Sequence, residues 1–198
     1  MLKVAITGGI GSGKSLASNI FKILGVPIYN SDIKAKILMH KKPELVKIIK
    51  ENFGNEAYNG NFINSQYLAD IVFNDYNQLK KLNRIVHPFV VDDILNWFSK
   101  ENNNCSLKIV ESALIFESKL EYLFDYIITV YAPKYIRIKR VKEREDLSIK
   151  TLKSRIKNQF DDKIKIAKAD FVIKNHNKLI LPQIIEIHNK LKILSNHG

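Results

Sequence analysis

The chain has 198 residues, of which 45% are hydrophobic and 26% are charged, a composition that is typical of a folded globular protein and excludes wholesale disorder. Its single cysteine, Cys105, excludes a disulfide framework and a zinc site built from cysteines. The formal net charge of +12 would suit a polyanionic partner such as nucleic acid or a phosphorylated metabolite, although most of the basic residues are scattered lysines that equally suit a solvated surface.

The first elements are a strand, a glycine-rich loop and a helix. Lys3–Thr7 is a short apolar run, and Ser15–Leu24 shows the three-and-four spacing of a helix. Between them, the sequence Gly8-Gly9-Ile10-Gly11-Ser12-Gly13-Lys14-Ser15 matches the pattern G-x-x-x-x-G-K-[ST]. A strand before this pattern and a helix after it are the context in which it binds phosphate.

This loop predicts binding of a nucleoside triphosphate. Glycines let the backbone approach phosphate closely and present successive N–H groups to it, and the start of the helix adds partial positive charge. Lys14 would reach the β- and γ-phosphates, and the Ser15 hydroxyl would bind Mg²⁺. The residues expected to hold the nucleotide are Gly9, Ile10, Gly11, Ser12, Gly13, Lys14, Ser15 and Leu16.

The next apolar run is Val26–Tyr29, and Asp32 follows it. If Ile28–Tyr29 is a second parallel strand, Asp32 lies at the carboxyl edge of the sheet, where ligands of open α/β sheets bind. Its carboxylate could accept a proton from an attacking hydroxyl there. Ser31 or Asp32 could equally be only the N-cap of the next helix, and the residues alone leave both interpretations open.

From Lys41 to Glu101 the apolar residues have helical spacing, and no strand is predicted. Turn residues at Gly54-Asn55 and Asn59-Gly60-Asn61 divide this stretch, which therefore predicts a helical insertion. His87 precedes Pro88 at a predicted helix boundary. A single histidine without partners is more often structural or in contact with substrate than catalytic.

The second half of the chain returns to alternating strands and helices. Leu107–Val110, Tyr126–Tyr131 and Phe171–Ile173 are apolar runs without polar alternation, as in strands buried on both faces of a parallel sheet. An amphipathic helix is predicted at Leu179–Leu194. Strands separated by helical stretches indicate an α/β, doubly wound parallel sheet.

Charged residues follow the predicted strands. Arg137, Arg140 and Arg144 have the spacing of one helical face, and such cations could stabilise the negative charge of a phosphoryl group in transfer; a solvated face is the alternative. Glu111 and Glu117 follow the strand at Leu107. A carboxylate at a strand end could hold Mg²⁺ through water or position a substrate, and a helix cap is equally open.

Taken together, these motifs resemble the dephospho-CoA kinase family over nearly the whole chain. Thr7–Ser15 has that family's form of the phosphate-binding loop, and Asn30-Ser31-Asp32 resembles its Asp-Ala-Asp segment, with Asp32 at the second aspartate. Leu114-Ile115-Phe116-Glu117 resembles its Leu-Leu-Phe-Glu element. Further positions that match the family are His87-Pro88, Arg140, Arg144, Gln159, Ala169-Asp170 and Asn175.

The chain departs from the family's pattern at four positions. The substituted residues are Leu16 for a threonine, Asn30 for the first aspartate, Ser65 for an arginine and Ala113 for a proline. These departures concern acceptor binding more than the reaction, since Lys14, Ser15, Asp32, Arg140 and Arg144 are all present.

The resemblance implies that ATP and 3′-dephospho-CoA react to give ADP and coenzyme A, by phosphorylation of the ribose 3′-hydroxyl. It implies Asp32 as the base that binds and deprotonates this hydroxyl, and Lys14 and Arg140 as the other catalytic residues. Arg144 would contact the nucleotide, while His87 and Glu117 would contact the acceptor. ATP and Mg²⁺ are the expected co-substrate and cofactor, with Ser15 as the metal ligand.

The expected architecture is one P-loop kinase domain over residues 1–198. Its sheet core would comprise about 1–40, 105–136 and 169–198, the insertion at about 41–101 would bind the acceptor, and a helical lid would span about 137–160. A nucleoside or nucleotide kinase of the same fold is the nearest alternative. A nucleic-acid-binding ATPase would use the basic surface, but the chain has no recognisable nucleic-acid motif or aromatic stacking platform.

We expect a small-molecule substrate, no nucleic-acid or membrane partner, and a monomer or weak homo-oligomer. No apolar run approaches the ~18 residues of a membrane span, and the N-terminus lacks a signal-peptide layout. The predicted location is therefore cytoplasmic.

Overall fold

The computed structural model describes residues 1–100, 105–144 and 149–196. The strands within them are β1 (Leu2–Thr7), β2 (Ile28–Asn30), β3 (Tyr58–Asn59), β4 (Phe62–Ile63), β5 (Leu107–Glu111), β6 (Tyr126–Tyr131) and β7 (Phe171–Lys174). The helices are α1 (Lys14–Ile23), α2 (Ser31–Lys41), α3 (Pro43–Phe53), α4 (Ser65–Asn74), α5 (Tyr76–Ser99), α6 (Lys134–Arg144), α7 (Ile149–Lys157), α8 (Asp162–Lys168) and α9 (Ile180–Ser195). The chain forms two compact units. The first comprises Met1–Asn30 and Glu101–Gly198, and the second is Ser31–Lys100.

The first unit is built on a five-stranded sheet in the order β2-β5-β1-β6-β7, with every neighbouring pair parallel. This confirms the predicted α/β parallel sheet. The strand that precedes the glycine-rich loop, β1, is central. In the register, Glu111 at the end of β5 lies between Ile6 of β1 and Asn30 of β2, so polar residues from neighbouring strands meet at the carboxyl edge.

Both faces of this sheet are covered. On one face, alternate β1 residues Val4 and Ile6 pack with Phe21 of α1 and Ile184 of α9. On the other face, Ala5 packs with residues of the segment that follows β5, among them Ile115 and Phe116. Burial on both faces explains why these strands are continuous apolar runs instead of alternating ones.

The second unit, Ser31–Lys100, is mainly helical. Helix α5 packs against α2, α3 and α4, and its apolar stripe buries Val86, Val90, Ile94 and Phe98. The predicted helix boundary at His87-Pro88 is wrong, because α5 continues through Pro88. The proline removes one backbone donor, but packing on three helices holds the element together.

A small antiparallel pair, β3 with β4, joins Tyr58 to Ile63 and Asn59 to Phe62 within this unit. The sequence predicted no strand there, because two residues per strand are too few to show a period. The predicted turn at Asn59-Gly60-Asn61 connects the two strands.

The predicted lid at 137–160 comprises α7 and all of α6 but its first residues, and residues 145–148 lie outside the described residues. In the part of the chain that the structure covers, no helix is long and apolar enough to cross a membrane.

Candidate functional site

The glycine-rich loop leads from the end of β1 at Thr7 into α1 at Lys14. Gly13 occupies the N-cap with φ of 99°, a left-handed conformation that favours glycine, and a Cβ at this position would collide with the side-chain amide of Asn175. A glycine N-cap has no side chain to accept the first amides of the helix. The start of α1 is therefore suited to bind an anion.

A polar cluster lies beside the start of this helix. The Ser15 hydroxyl donates a hydrogen bond to Oε1 of Glu111 at 2.8 Å, and the Asn30 side-chain amide donates to Oε2 at 3.1 Å. Asn30 and Glu111 are paired at the carboxyl ends of the neighbouring strands β2 and β5, and the glycine-rich loop after β1 brings Ser15 of α1 to the same edge. Both described donors to the Glu111 carboxylate are side chains and not helix amides, which argues against the helix-cap role; metal binding and substrate positioning stay predictions.

The chemistry of this cluster fits a divalent cation. Glu111 is only 6% exposed, and the two described donors to its carboxylate, the side chains of Ser15 and Asn30, are neutral, so a cation bound there would offset the cost of burying a carboxylate. Magnesium takes oxygen ligands and uses one or two carboxylates together with water and substrate phosphate. Among the residues that the structure describes, no group of three His, Cys, Asp or Glu side chains could hold a metal ion.

The three arginines of α6 do not share one environment. Arg137 is 5% exposed, and it donates hydrogen bonds to the carbonyls of Ala132 and Ile10 and pairs with Asp162 at 2.7 Å. The expectation of one solvated or anion-facing surface is therefore wrong for Arg137, whose charge is used inside the fold. Arg144, at the end of the helix, is exposed.

Arg140 lies one turn further along α6 and is linked to the loop. Its Nη2 donates to the carbonyl of Asn175 at 3.0 Å, while its Nη1 is buried with no partner among the described residues. The Asn175 side-chain amide in turn donates to the carbonyl of Ser12 at 2.8 Å. Asn175 thus connects the arginine helix to the glycine-rich loop, and the buried Nη1 remains available for an anion.

Glu117 makes contacts within the first unit. Its Oε1 accepts hydrogen bonds from the Phe160 amide at 2.8 Å and from the ammonium of Lys165 at 2.7 Å. Lys165 is fully buried and also donates to the carbonyl of Ala113 at 3.0 Å. Oε1 is therefore used for the fold, whereas Oε2 is buried without a partner within the described residues.

Two predicted site residues belong to the second unit. Asp32 is the second residue of α2, which begins directly after β2; it lies inside the first turn and is not the N-cap. His87 is half-buried on α5, and burial lowers its pKa below the ordinary value, which favours a neutral imidazole near pH 7.

A wide surface depression of about 700 Å³ also lies in the second unit. Its basic lining residues, Lys41, Lys47 and Lys50, would suit an anion, but Lys47 is paired with Glu51. None of the sequence-predicted site residues lines it. We therefore place the chemistry at the carboxyl edge of the sheet.

Sequence reasoning assigned no role to three residues that support this edge: Asn175, Gln159 and Lys165. Gln159 accepts a hydrogen bond from the Ile10 amide at 2.9 Å. The only signal for Asn175 and Gln159 was their match to a family pattern, and Lys165 appeared as one of many surface lysines. Their partners are distant in sequence, so spacing could not reveal them.

Comparisons with known proteins identify one family. The family model of dephospho-CoA kinase matches residues 2–180. The dephospho-CoA kinase of Bacteroides fragilis (strain YCH46) is 36% identical over 189 residues, which cover 94% of this chain and 91% of that protein. The dephospho-CoA kinase of Porphyromonas gingivalis is 35% identical over 190 residues, covering 94% and 93%.

Solved structures share the fold of this chain, and one of those similar to it is a dephospho-CoA kinase. TT1252 from Thermus thermophilus has a TM-score of 0.79 at 27% identity, covering 100% of this chain and 98% of that one. The dephospho-CoA kinase from Campylobacter jejuni has a TM-score of 0.63 at 27% identity, covering 96% of each chain. Shikimate kinase from Acinetobacter baumannii, at 14% identity and a TM-score of 0.55, shares the fold.

Proposed function

Since this chain belongs to the dephospho-CoA kinase family, whose members are ATP-dependent kinases, we propose that it phosphorylates the ribose 3′-hydroxyl of 3′-dephospho-CoA with Asp32 as the base. The hydroxyl oxygen attacks the γ-phosphorus, the bond from that phosphorus to the β–γ bridging oxygen breaks, and ADP leaves. The hydroxyl proton passes to Asp32. The observation that carries the proposal is the Ser15–Glu111 hydrogen bond beside a helix start without a side-chain cap.

The nucleotide phosphates would lie against the start of α1. The amides of Lys14, Ser15 and Leu16 belong to the first turn, whose N–H groups have no acceptor within the helix, and Gly13 allows close approach. The Lys14 ammonium supplies a full positive charge to the β- and γ-phosphates. The backbone from Gly9 to Gly13 would enclose the phosphates, with the glycine amides of Gly9, Gly11 and Gly13 as the donors, because the amides of Ile10 and Ser12 donate to Gln159 and to the Gly9 carbonyl.

Ser15 and Glu111 would hold Mg²⁺. The cation, when bound, neutralises charge on the phosphate oxygens. Glu111 would contribute the negative charge that is buried at this edge, and Asn30 orients that carboxylate through Oε2. The Ser15 hydroxyl is held within 2.8 Å of it, so the two oxygens form a compact pair.

Arg140 would stabilise the transferred phosphoryl group. Its guanidinium is anchored by Nη2 on the Asn175 carbonyl, and its unpartnered Nη1 can donate to an anionic oxygen. A preorganised donor of this kind stabilises charge that develops during transfer. Arg144 is proposed to contact the nucleotide from the exposed end of α6.

Asp32 is proposed as the base because of its position in the chain. It follows β2 by two residues, and the last residue of β2 lies opposite Glu111 in the sheet. A carboxylate at the carboxyl edge of a parallel sheet lies where ligands of such sheets bind. His87 and the free Oε2 of Glu117 are proposed as contacts of the acceptor.

The reaction is tested by measuring ADP release from Mg-ATP with 3′-dephospho-CoA, adenosine, AMP, dCMP or no acceptor. We expect turnover only with 3′-dephospho-CoA, and a product that co-elutes with coenzyme A and has its mass. Turnover on adenosine or a nucleotide would replace the acceptor assignment with that of a nucleoside or nucleotide kinase. No turnover with any acceptor would contradict the proposal.

The role of Asp32 is tested by Asp32→Asn. Loss of a positioned base should lower kcat by at least ~100-fold, while the Kd for Mg-ATP stays within about twofold, since the residue is proposed to act on the acceptor hydroxyl. The matched control is Asp92→Asn, an exposed aspartate on α5, which should leave kcat unchanged. If both substitutions change kcat by the same small factor, Asp32 is not the base.

A further inference from the structure

One residue of the glycine-rich loop, Ile10, is held on both sides by side chains. Its N–H donates to Oε1 of Gln159 at 2.9 Å, and its carbonyl accepts from Nη1 of Arg137 at 3.3 Å. The neighbouring turn is closed by the bond from the Ser12 amide to the Gly9 carbonyl. The peptide groups on either side of Ile10 are therefore fixed by contacts from outside the loop.

The Arg137 guanidinium is itself fixed. It is 5% exposed, its Nε donates to the Ala132 carbonyl at 3.1 Å, and its Nη2 pairs with Asp162 at 2.7 Å. It also lies so close to Gly9 that a Cβ there would collide with its Nη1. The arginine thus reaches the loop from a pocket in which its charge is neutralised.

The two side chains that hold Ile10 come from α6 and from the residues that follow α7. Arg137 lies in the first turns of α6, and Gln159 follows α7; Asp162, which pairs with Arg137, begins α8. The stretch of chain between Arg137 and Gln159, which carries Arg140 and Arg144, is therefore hydrogen-bonded to Ile10 at both of its ends. We name Arg137, Gln159 and Asp162 the Ile10 clasp.

We propose that Gln159 is a positioning residue for nucleotide binding, and that the Ile10 clasp holds the loop in the shape that receives the nucleotide phosphates. A loop fixed before binding does not have to be ordered by its ligand, so the affinity is higher than for a loose loop. The inference rests on the proposed function only in that ATP binds at the loop; it does not depend on the acceptor.

The first experiment compares Gln159→Ala with Gln183→Ala. Gln183 is a matched control, since its side chain makes three described hydrogen bonds, all to the backbone of Lys174 and Leu179 and none to the loop. We expect Gln159→Ala to raise the Kd and KM for ATP about fivefold, as expected for one lost hydrogen bond, with kcat at saturating ATP within about twofold. Gln183→Ala should lower the melting temperature without changing the Kd.

Two results would overturn the proposal. If Gln159→Ala lowers the melting temperature as Gln183→Ala does and leaves the Kd for ATP unchanged, the contact is structural only. If Gln159→Ala tightens ATP binding, Gln159 competes with the nucleotide for the Ile10 amide. Both measurements use ATP without an acceptor, so a failure of the acceptor assignment would leave them interpretable.

A double-mutant cycle with Asp162→Ala tests the clasp as a unit. Residues that act through one shared partner show non-additive effects. We expect the Gln159→Ala/Asp162→Ala variant to raise the Kd for ATP by less than the product of the two single rises, because either change alone already loosens Ile10. If the Kd for ATP of the double variant rises by the full product of the two single rises, Gln159 and Asp162 do not act through the same loop residue.

Discussion

Glu111 shows how single residues define this site. A carboxylate that is 6% exposed is costly unless its charge is compensated, yet the described donors to it are the neutral side chains of Ser15 and Asn30. The arrangement keeps one full negative charge at the sheet edge and orients both of its oxygens. The dephospho-CoA kinase family has an aspartate at the position of Asn30. In this chain the Asn30 amide adds a hydrogen-bond donor to Glu111 and no second negative charge.

Asn30→Asp tests this balance. The substitution would place a second carboxylate about 3 Å from Oε2 of Glu111, and like charges in contact repel unless a cation or a proton lies between them. We expect a lower melting temperature in EDTA than for the parent chain, and a larger rise on adding Mg²⁺. The measurement is thermal unfolding with and without Mg²⁺.

The control for this prediction is Asn52→Asp. Asn52 also donates through its side-chain amide, in this case to the Ile48 carbonyl in the second unit. The control variant should lose stability without gaining a response to Mg²⁺. An equal Mg²⁺ response in the two variants would mean that the Glu111 cluster is not a cation site.

At the scale of elements, α8 is tied to the segment after β5 by one buried ion pair. Lys165 is fully buried between the Glu117 carboxylate and the Ala113 carbonyl, and the Phe160 amide shares the same carboxylate. The pair therefore fixes the start of α8, and with it Asp162 of the Ile10 clasp.

Breaking this pair should cost far more than breaking an exposed one. Lys165→Met would leave Glu117 buried without a cation, at a cost of about 3–5 kcal/mol. Lys168→Met, on the same helix, removes the exposed pair with Glu121 and should cost about 1 kcal/mol or less. Urea unfolding measures both free energies, and equal losses would contradict the role of the Lys165–Glu117 pair.

Sequence patterns predicted the elements of this fold better than their partners. The parallel strands and the loop could be predicted because an apolar run and a glycine pattern are local signals. The role of Arg137 could not, because its partners Ile10 and Asp162 are 127 and 25 residues away. The two-residue strands β3 and β4 lack a period, and α5 continues through Pro88 because tertiary packing outweighs the loss of one backbone hydrogen bond.

At the scale of the whole molecule, the net charge of +12 makes further protonation of the folded chain unfavourable. Two histidines add to this effect. Burial lowers the pKa of His87, and burial together with the positive charge of Lys192 lowers the pKa of His188. His188 lies on α9 against the ring of Phe21 in α1, with its Nε2 buried and without a described partner.

The folded chain should therefore lose stability in mild acid. Because the folded-state pKa of His188 lies below the ordinary value of about 6.5, the unfolded chain takes up a proton first as the pH falls, and the free energy of unfolding decreases from about pH 7 down to the folded-state pKa. His188→Leu keeps an apolar side chain against Phe21 and removes the titration. Urea unfolding at pH 7.5 and 5.5 should show a smaller loss for His188→Leu than for the parent chain, and equal losses would contradict a buried, neutral His188.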